Sequence, residues 1–245
     1  MSYQRMAQMP LLQGHTYWLA EPQKGLLEKL YELEPNPDPV QLFEGTAFSP
    51  QASQSPLLFS LSASGGLASS LADNPNALTG LLITTQASRA QLLQQLRSLL
   101  EARFLQGRKA LLRYYDPRVA SYLLPTCSES LQPRWLGPIN DIAWYGGTWA
   151  DEFADGKQWH LLRHVQQPDA KIPATPLALN DTQLQRLVDQ GYEHFAWRWL
   201  ADNKGYAMAQ TLDWIKTGIA AGHTEHNSLN AWLDSQTMAQ GAQNG

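Results

Sequence analysis

Residues 80–85 read Gly-Leu-Leu-Ile-Thr-Thr, a short apolar run ending in β-branched residues. Such a run is a buried strand, and a strand apolar on both faces must be covered on both. That requirement constrains the fold more than any other stretch. Ser88 then opens the clearest helical pattern in the chain. Ser88 with Gln91 three positions on forms a capping box. Leu92, Leu96, Leu99 and Phe104, flanked by Leu93 and Leu100, hold one face apolar, and Gly107 offers a stop. Ala110–Tyr115 follows as a second strand. Strand, amphipathic helix and strand in this order predict a βαβ unit with two parallel strands.

Around this centre the signals are shorter. His15–Ala20 is β-prone. A helix carrying Leu26, Leu27, Leu30 and Leu33 ends before the prolines Pro35, Pro37 and Pro39, which lack donors and disfavour helix ahead of them. Val40–Glu44 and Leu57–Leu61 read as strands, with a break at Gly65-Gly66. Past Pro133, segments 142–145, Trp149–Phe153 and Gln158–Arg163, separated by Gly146-Gly147 and Asp155-Gly156, predict a β-meander. Pro168, Pro173 and Pro176 mark a linker. Beyond it Asn180 caps a helix with Gln183 and a stripe of Leu184, Leu187, Val188, Phe195 and Trp199. Met208, Leu212, Ile215 and Ile219 make a second helix ending near Gly222, and Leu229, Trp232 and Leu233 a shorter third. The last residues are expected to fray. The expected organisation is a mixed α/β lobe over residues 1–165, a proline-containing linker over 166–176, and an all-α lobe over 177–245.

Composition narrows the function. Hydrophobic residues make up 43% of the 245 and charged residues 16%, so the chain folds. A formal net charge of −4 supplies no field for nucleic acid or anionic lipid. No apolar run approaches the roughly 20 residues of a membrane helix, and Gln and Gly interrupt the N-terminal region where a signal peptide needs an apolar core. The single cysteine, Cys127, excludes an intrachain disulfide and a cysteine-based zinc site, and is expected to be a small buried residue. A cytoplasmic location fits these features.

Candidate chemistry centres on "LLRYYDPRVASYLLP", residues 111–125. Asp116 is a strong N-cap and Pro117 suits the first helical position, so Asp116-Pro117 reads as a strand-to-helix corner. Arg118 is left to pair with a distant carboxylate or to lie against Tyr114 or Tyr115. A catalytic use of Asp116 and Arg118 in a small hydrolase or transferase would need a second acid or a nucleophile, and none is local. His160 and His164 fall on a predicted strand, about 13 Å apart. The expectation is one satisfied and one exposed histidine rather than a metal pair. His223 and His226 are expected in a solvated loop. No nucleophile elbow, phosphate loop or dinucleotide fingerprint is present. Nine tryptophans raise the weight of binding. Trp197 and Trp214 fall off their helices' apolar stripes, so Trp197, Arg198, Trp214 and Trp232 are candidates for a partner-binding face. The opposing expectation is that the helices simply bury most of these rings.

From about residue 12 to 165 the chain resembles the bacterial type VI secretion adaptor family, or effector chaperones, first catalogued as a domain of unknown function. The resemblance rests on Arg113, Tyr114, Tyr115, Asp116, Pro117 and Arg118, followed by Leu136, Gly137 and Pro138. The family often carries an acidic residue in its first strand, where this chain has Trp18-Leu19-Ala20. The resemblance implies a non-enzymatic cytoplasmic protein without a cofactor. It would bind a toxic effector and load it on the valine-glycine-repeat (VgrG) spike protein, Arg118 either locking its corner or reaching the spike. An immunity protein that neutralises the toxin is the remaining alternative.

Overall fold

The computed structural model describes residues 3–11, 13–34, 36–62, 66–104, 108–165 and 176–243, with side chains to 238. The expected breaks at Pro35, Gly65 and Gly107 and linker positions 166–175 lie outside the described residues. In chain order the strands are β1 (Tyr3–Met6), β2 (His15–Ala20), β3 (Val40–Gln41), β4 (Leu57–Ser60), β5 (Gly80–Thr85), β6 (Glu101–Arg103), β7 (Lys109–Leu111), β8 (Ile139–Gly146), β9 (Gln158–Arg163) and β10 (Leu177–Ala178). The helices are α1 (Leu26–Leu33), α2 (Gly66–Asp73), α3 (Arg89–Ser98), α4 (Pro117–Leu123), α5 (Gln132–Trp135), α6 (Trp149–Phe153), α7 (Asp181–Asp202), α8 (Met208–Ala220) and α9 (His226–Gln243). The chain is therefore mixed α/β, with three helices at its C-terminal end, as the sequence predicts.

The main sheet runs β1-β9-β8-β5-β2-β4-β3, and every neighbouring pair is antiparallel. All six residues of β5 are buried. Alternation sends side chains to two separate cores. Leu19, Leu81, Ile83, Ile142 and Trp144 meet Leu92 and Leu96 of α3 and Ala120 and Leu123 of α4. Trp18, Ala20, Leu82 and Ala143 meet Leu26 and Leu30 of α1 and Leu67 and Leu71 of α2. The sheet is covered on both faces, as β5 demands.

The βαβ expectation fails in one respect. β5 already has antiparallel partners on both edges, β2 and β8. The segment after α3 has no edge of β5 to pair with. Helix α3 keeps its Ser88–Gln91 capping box but stops at Ser98. Residues 101–103 become β6, which pairs with β7 antiparallel and with β10 in parallel, forming a second sheet of order β10-β6-β7. Strand pairing therefore overrides the helical periodicity that runs on to Phe104. The strand expected over Ala110–Tyr115 ends at Leu111.

Three smaller differences have local causes. Trp149–Phe153 is helix rather than strand, because Thr148 and Asp151 form a capping box that outweighs aromatic β-propensity. β8 and β9 still pair as the meander predicts, with this helix between them. Neither His160 nor His164 is the exposed one the sequence reading allowed for: His164 is buried, its Nδ1 3.1 Å from the Ile139 carbonyl. His160 is satisfied as expected, between the Tyr3 hydroxyl at 2.7 Å and the Gly146 carbonyl at 3.1 Å, and it stacks on Trp144. The third C-terminal helix is longer than its apolar stripe suggested, and His226 begins it.

Helix α7 joins the C-terminal helices to the sheet. Leu184 and Leu187 pack on the first core. The Glu193 carboxylate accepts from the Tyr122 hydroxyl and from Ala150 N–H, the latter at 3.0 Å. The Tyr122 oxygen in turn accepts from Trp149 N–H at 2.9 Å. Further along, Ala196, Trp199, Leu200, Met208, Ile215, Leu229 and Leu233 make a core of their own.

At Gly80 the two central strands approach too closely for a side chain. A Cβ there would lie 2.3 Å from the Leu19 carbonyl oxygen and 2.8 Å from Trp18 Nε1. Gly80→Ala is expected to cost about 3 kcal/mol, because backbone on the far side cannot yield. Chemical denaturation of the two proteins measures it.

Candidate functional site

The Tyr115–Arg118 corner forms as the sequence predicts. Asp116 takes an extended conformation and caps α4, its Oδ1 accepting Arg118 N–H at 2.9 Å, with Pro117 in the first turn. Asp116 also holds the Arg118 side chain by two parallel bonds, Nε to Oδ1 at 3.0 Å and Nη2 to Oδ2 at 3.1 Å. This planar fork-to-fork geometry is the strongest form of carboxylate recognition available to arginine.

A second carboxylate completes the site. Glu21, just past β2, receives Arg113 Nη2 at 2.5 Å on Oε1, and its Oε2 lies 3.8 Å from Arg118 Nη2. Arg113 Nη2 is also 3.8 Å from Asp116 Oδ2. Two acids and two bases thus alternate around a square. The acids are inside, with side chains 11% and 8% exposed for Glu21 and Asp116; the bases face outward, 53% for Arg113 and 39% for Arg118. Burial, and then the charge of Asp116, raise the Glu21 pKa above its ordinary value, against the pull of both arginines. Burial works against the Arg118 charge. The Asp116 hydrogen bond and the charges of Asp116, Glu21 and Glu152 outweigh it, so its pKa is raised. Burial also pushes the Tyr115 hydroxyl up to about 12.

Arg118 does not lie against Tyr114 or Tyr115. Its guanidinium sits 5.1 Å from the centre of the Trp149 ring. Trp149 also packs on His194 at 4.5 Å and Trp197 at 4.7 Å, both on α7. A line of contacts runs from the charge square through one indole into the C-terminal helices.

The remaining candidates are dispersed. Gly137 has a left-handed φ of 52° and abuts Gln95, while the Pro138 carbonyl accepts from Thr85 Oγ1 at 2.6 Å. They serve the far end of β5, a strand length of roughly 17 Å from the corner. Trp214 packs on Tyr206 and Trp199. Trp232 lies on Gly218 and donates from Nε1 to the Trp214 carbonyl at 2.9 Å. Trp197 also reaches Trp149 of α6, and all three rings are partly buried against the C-terminal core. Arg198 is exposed and lines a cleft of about 370 Å³ with His194, Trp199 and Asp234. His223 stacks on Trp232 and reaches Ser228 at 2.8 Å. Cys127 is buried, as expected, and burial pushes its thiol pKa up. Among the described residues no cluster of three or more His, Cys, Asp or Glu is placed to hold a metal, and no helix is long and apolar enough to cross a membrane.

Sequence reasoning missed Glu21 and Trp149. Glu21 has one signal: it is the first charged residue after an apolar strand. Trp149 has none, because its segment is read as strand.

Residues 16–134 match the family model of a domain of unknown function, DUF4123. The DUF4123 segment begins in β2 and ends in α5. It holds all four members of the charge square but not Trp149, Gly137, Pro138 or the C-terminal helices. The searches of curated proteins and of solved structures returned no match.

Two variants separate the roles of Asp116. Asp116→Asn keeps one acceptor oxygen for the Arg118 N–H but loses the charge and the second acceptor that holds Arg118 Nη2, at an expected cost of about 1 kcal/mol, since Arg118 is partly exposed. Asp116→Ala also removes the cap and both side-chain bonds to Arg118, at about 3 kcal/mol. Equal losses in urea denaturation would show that the cap contributes nothing.

Glu21 gives a pH signature. Below the ordinary value of 4.5 it is protonated whether the chain is folded or not. Its folded pKa is raised, so its stabilising contribution is complete there and is lost as pH rises through the folded pKa. As pH rises from 4.5 through the folded pKa, Glu21→Gln should gain stability relative to the parent protein and then level off. A pH-independent difference contradicts this reading.

Proposed function

We propose that this chain is a non-enzymatic cytoplasmic adaptor that binds a type VI secretion effector and loads it on the VgrG spike protein. The observation that carries the reading is the charge square inside the DUF4123 segment. Its carboxylates are turned inward and consumed in holding two guanidinium groups, whose outer faces remain in solvent. That construction suits a rigid recognition face better than proton transfer, which requires a carboxylate able to reach a substrate. The resemblance to secretion adaptors through Arg113–Arg118 supports the partner class.

The two partners take separate surfaces. The spike takes the sheet unit around Arg113 and Arg118. The effector takes the C-terminal helices, around the cleft that Arg198 lines, because this part lies outside the DUF4123 segment and is free to vary with its cargo. Trp197, Trp214 and Trp232 do not line that cleft; they pack against the core of the C-terminal helices.

Co-purification of the chain with effector and spike tests this. The parent protein should retain both. Arg198→Glu should weaken effector retention about tenfold and leave the spike bound, as expected for a charged anchor at an interface. Unchanged effector retention moves the cargo site elsewhere. Failure to retain either protein removes the adaptor reading. An inhibited effector in the purified complex would favour an immunity protein.

A further inference from the structure

On the outer side of the charge square lies a groove of about 460 Å³. Leu111 at the end of β7, Arg113 just beyond it and Tyr115 in the turn that leads into α4 form one wall. The opposite wall is Phe48, lying on Phe43, which itself meets the Tyr115 ring edge-on. The rim is uncharged and exposed, with Ser53 and Gln54 at its lip. Arg113 is the one charged side chain among the described residues that line it.

The groove is preformed. The Phe43 carbonyl is bonded by Thr46 Oγ1 at 2.7 Å and Ser49 Oγ at 3.0 Å, and the Phe43 N–H donates to Ser55 Oγ at 2.9 Å. Arg113 is aimed from behind, its Nη2 anchored on Glu21, with half of its side chain open toward solvent. Next to the groove, β7 is the outer strand of its sheet among the described residues. Phe104 N–H bonds to the Arg108 carbonyl, and Leu112 N–H to the Leu100 carbonyl. By antiparallel alternation, Lys109 and Leu111 turn their backbone groups to the free edge.

We infer that this groove binds an extended segment of a protein partner, pairing with the free edge of β7, an apolar side chain against Phe48 and a carboxylate two residues away on Arg113. The carboxylate follows from charge complementarity, Arg113 being the one charged side chain among the described residues that line the groove, and half of it open to solvent. The extended form follows from the edge strand β7, whose last residue, Leu111, lines the groove. The inference rests on the protein-binding reading of the chain but not on which partner it serves.

The probe is the peptide acetyl-Asp-Ser-Phe-Ser-Asp-amide, which presents the same pattern in either direction, with the Asn-for-Asp peptide as control. Titrated into the isotope-labelled full chain, the acidic peptide should shift the amide resonances of Phe48, Ser53, Leu111 and Arg113. The control should bind about fivefold more weakly, the expected loss for one partly exposed ion pair. Substitution at Arg113 would disturb the charge square, so the charge test uses Ser53, which is exposed on the rim. Ser53→Glu should weaken the acidic peptide several-fold and Ser53→Lys should tighten it. Shifts elsewhere on the chain, no shift at millimolar peptide, equal binding of both peptides, or indifference to charge at Ser53 would each overturn the assignment. The titration contains neither effector nor spike, so its failure leaves the co-purification result standing, and the reverse also holds.

Discussion

The site depends on one guanidinium. Arg118 is gripped by the cap of its own helix, approached by Glu21, and held over the Trp149 ring. Each contact belongs to a different part of the fold: the start of α4, the end of β2, and the start of α6. A lysine would supply the charge but neither the parallel pair of bonds to Asp116 nor the flat face against an indole. Charges this close to the interior are tolerable only when paired, and here each carboxylate has a guanidinium to itself and a second one nearby.

From Trp149 the same logic passes outward. The first residues of α6 have backbone donors with no partner inside so short a helix. Tyr122 and Glu193 accept them, and in doing so tie α4, α6 and α7 into one joint. The C-terminal helices are therefore docked on the sheet unit through a polar clamp flanked by Leu184 and Leu187. If cargo binds those helices, it sits on a layer whose attachment shares Trp149 with the charge square. The two proposed partner surfaces are thus mechanically connected, although they lie on different elements.

Legibility in the sequence follows the range of the interaction. Ser88 with Gln91 and Asn180 with Gln183 form their capping boxes as read, because a cap bonds within its own turn. Asp116 and Pro117 form their corner for the same reason. The identity of Arg118's partners was not readable, since Glu21 and Trp149 lie in segments far away along the chain. Residues 99–104 carry a helical stripe and still end in a strand, because β7 and β10 offer ladder bonds that no local pattern records. Trp149–Phe153 errs the other way: its aromatic content suggests a strand, while Thr148 and Asp151 make it a helix. That local signal was present and was outweighed in the reading by composition.

By itself the sequence determined that β5 would be a buried strand, that helices would begin at Ser88, Pro117 and Asn180, and that Asp116 would cap rather than stand free. These rest on bonds and side-chain periods spanning a few residues. Only the tertiary structure decided that β5 takes antiparallel neighbours on both sides, that the next strand is diverted to a second sheet, and that Glu21, Arg113, Asp116 and Arg118 close into a square. The reason is that strand partners and ion pairs are chosen among distant segments by what buries the most apolar surface while leaving no charge alone.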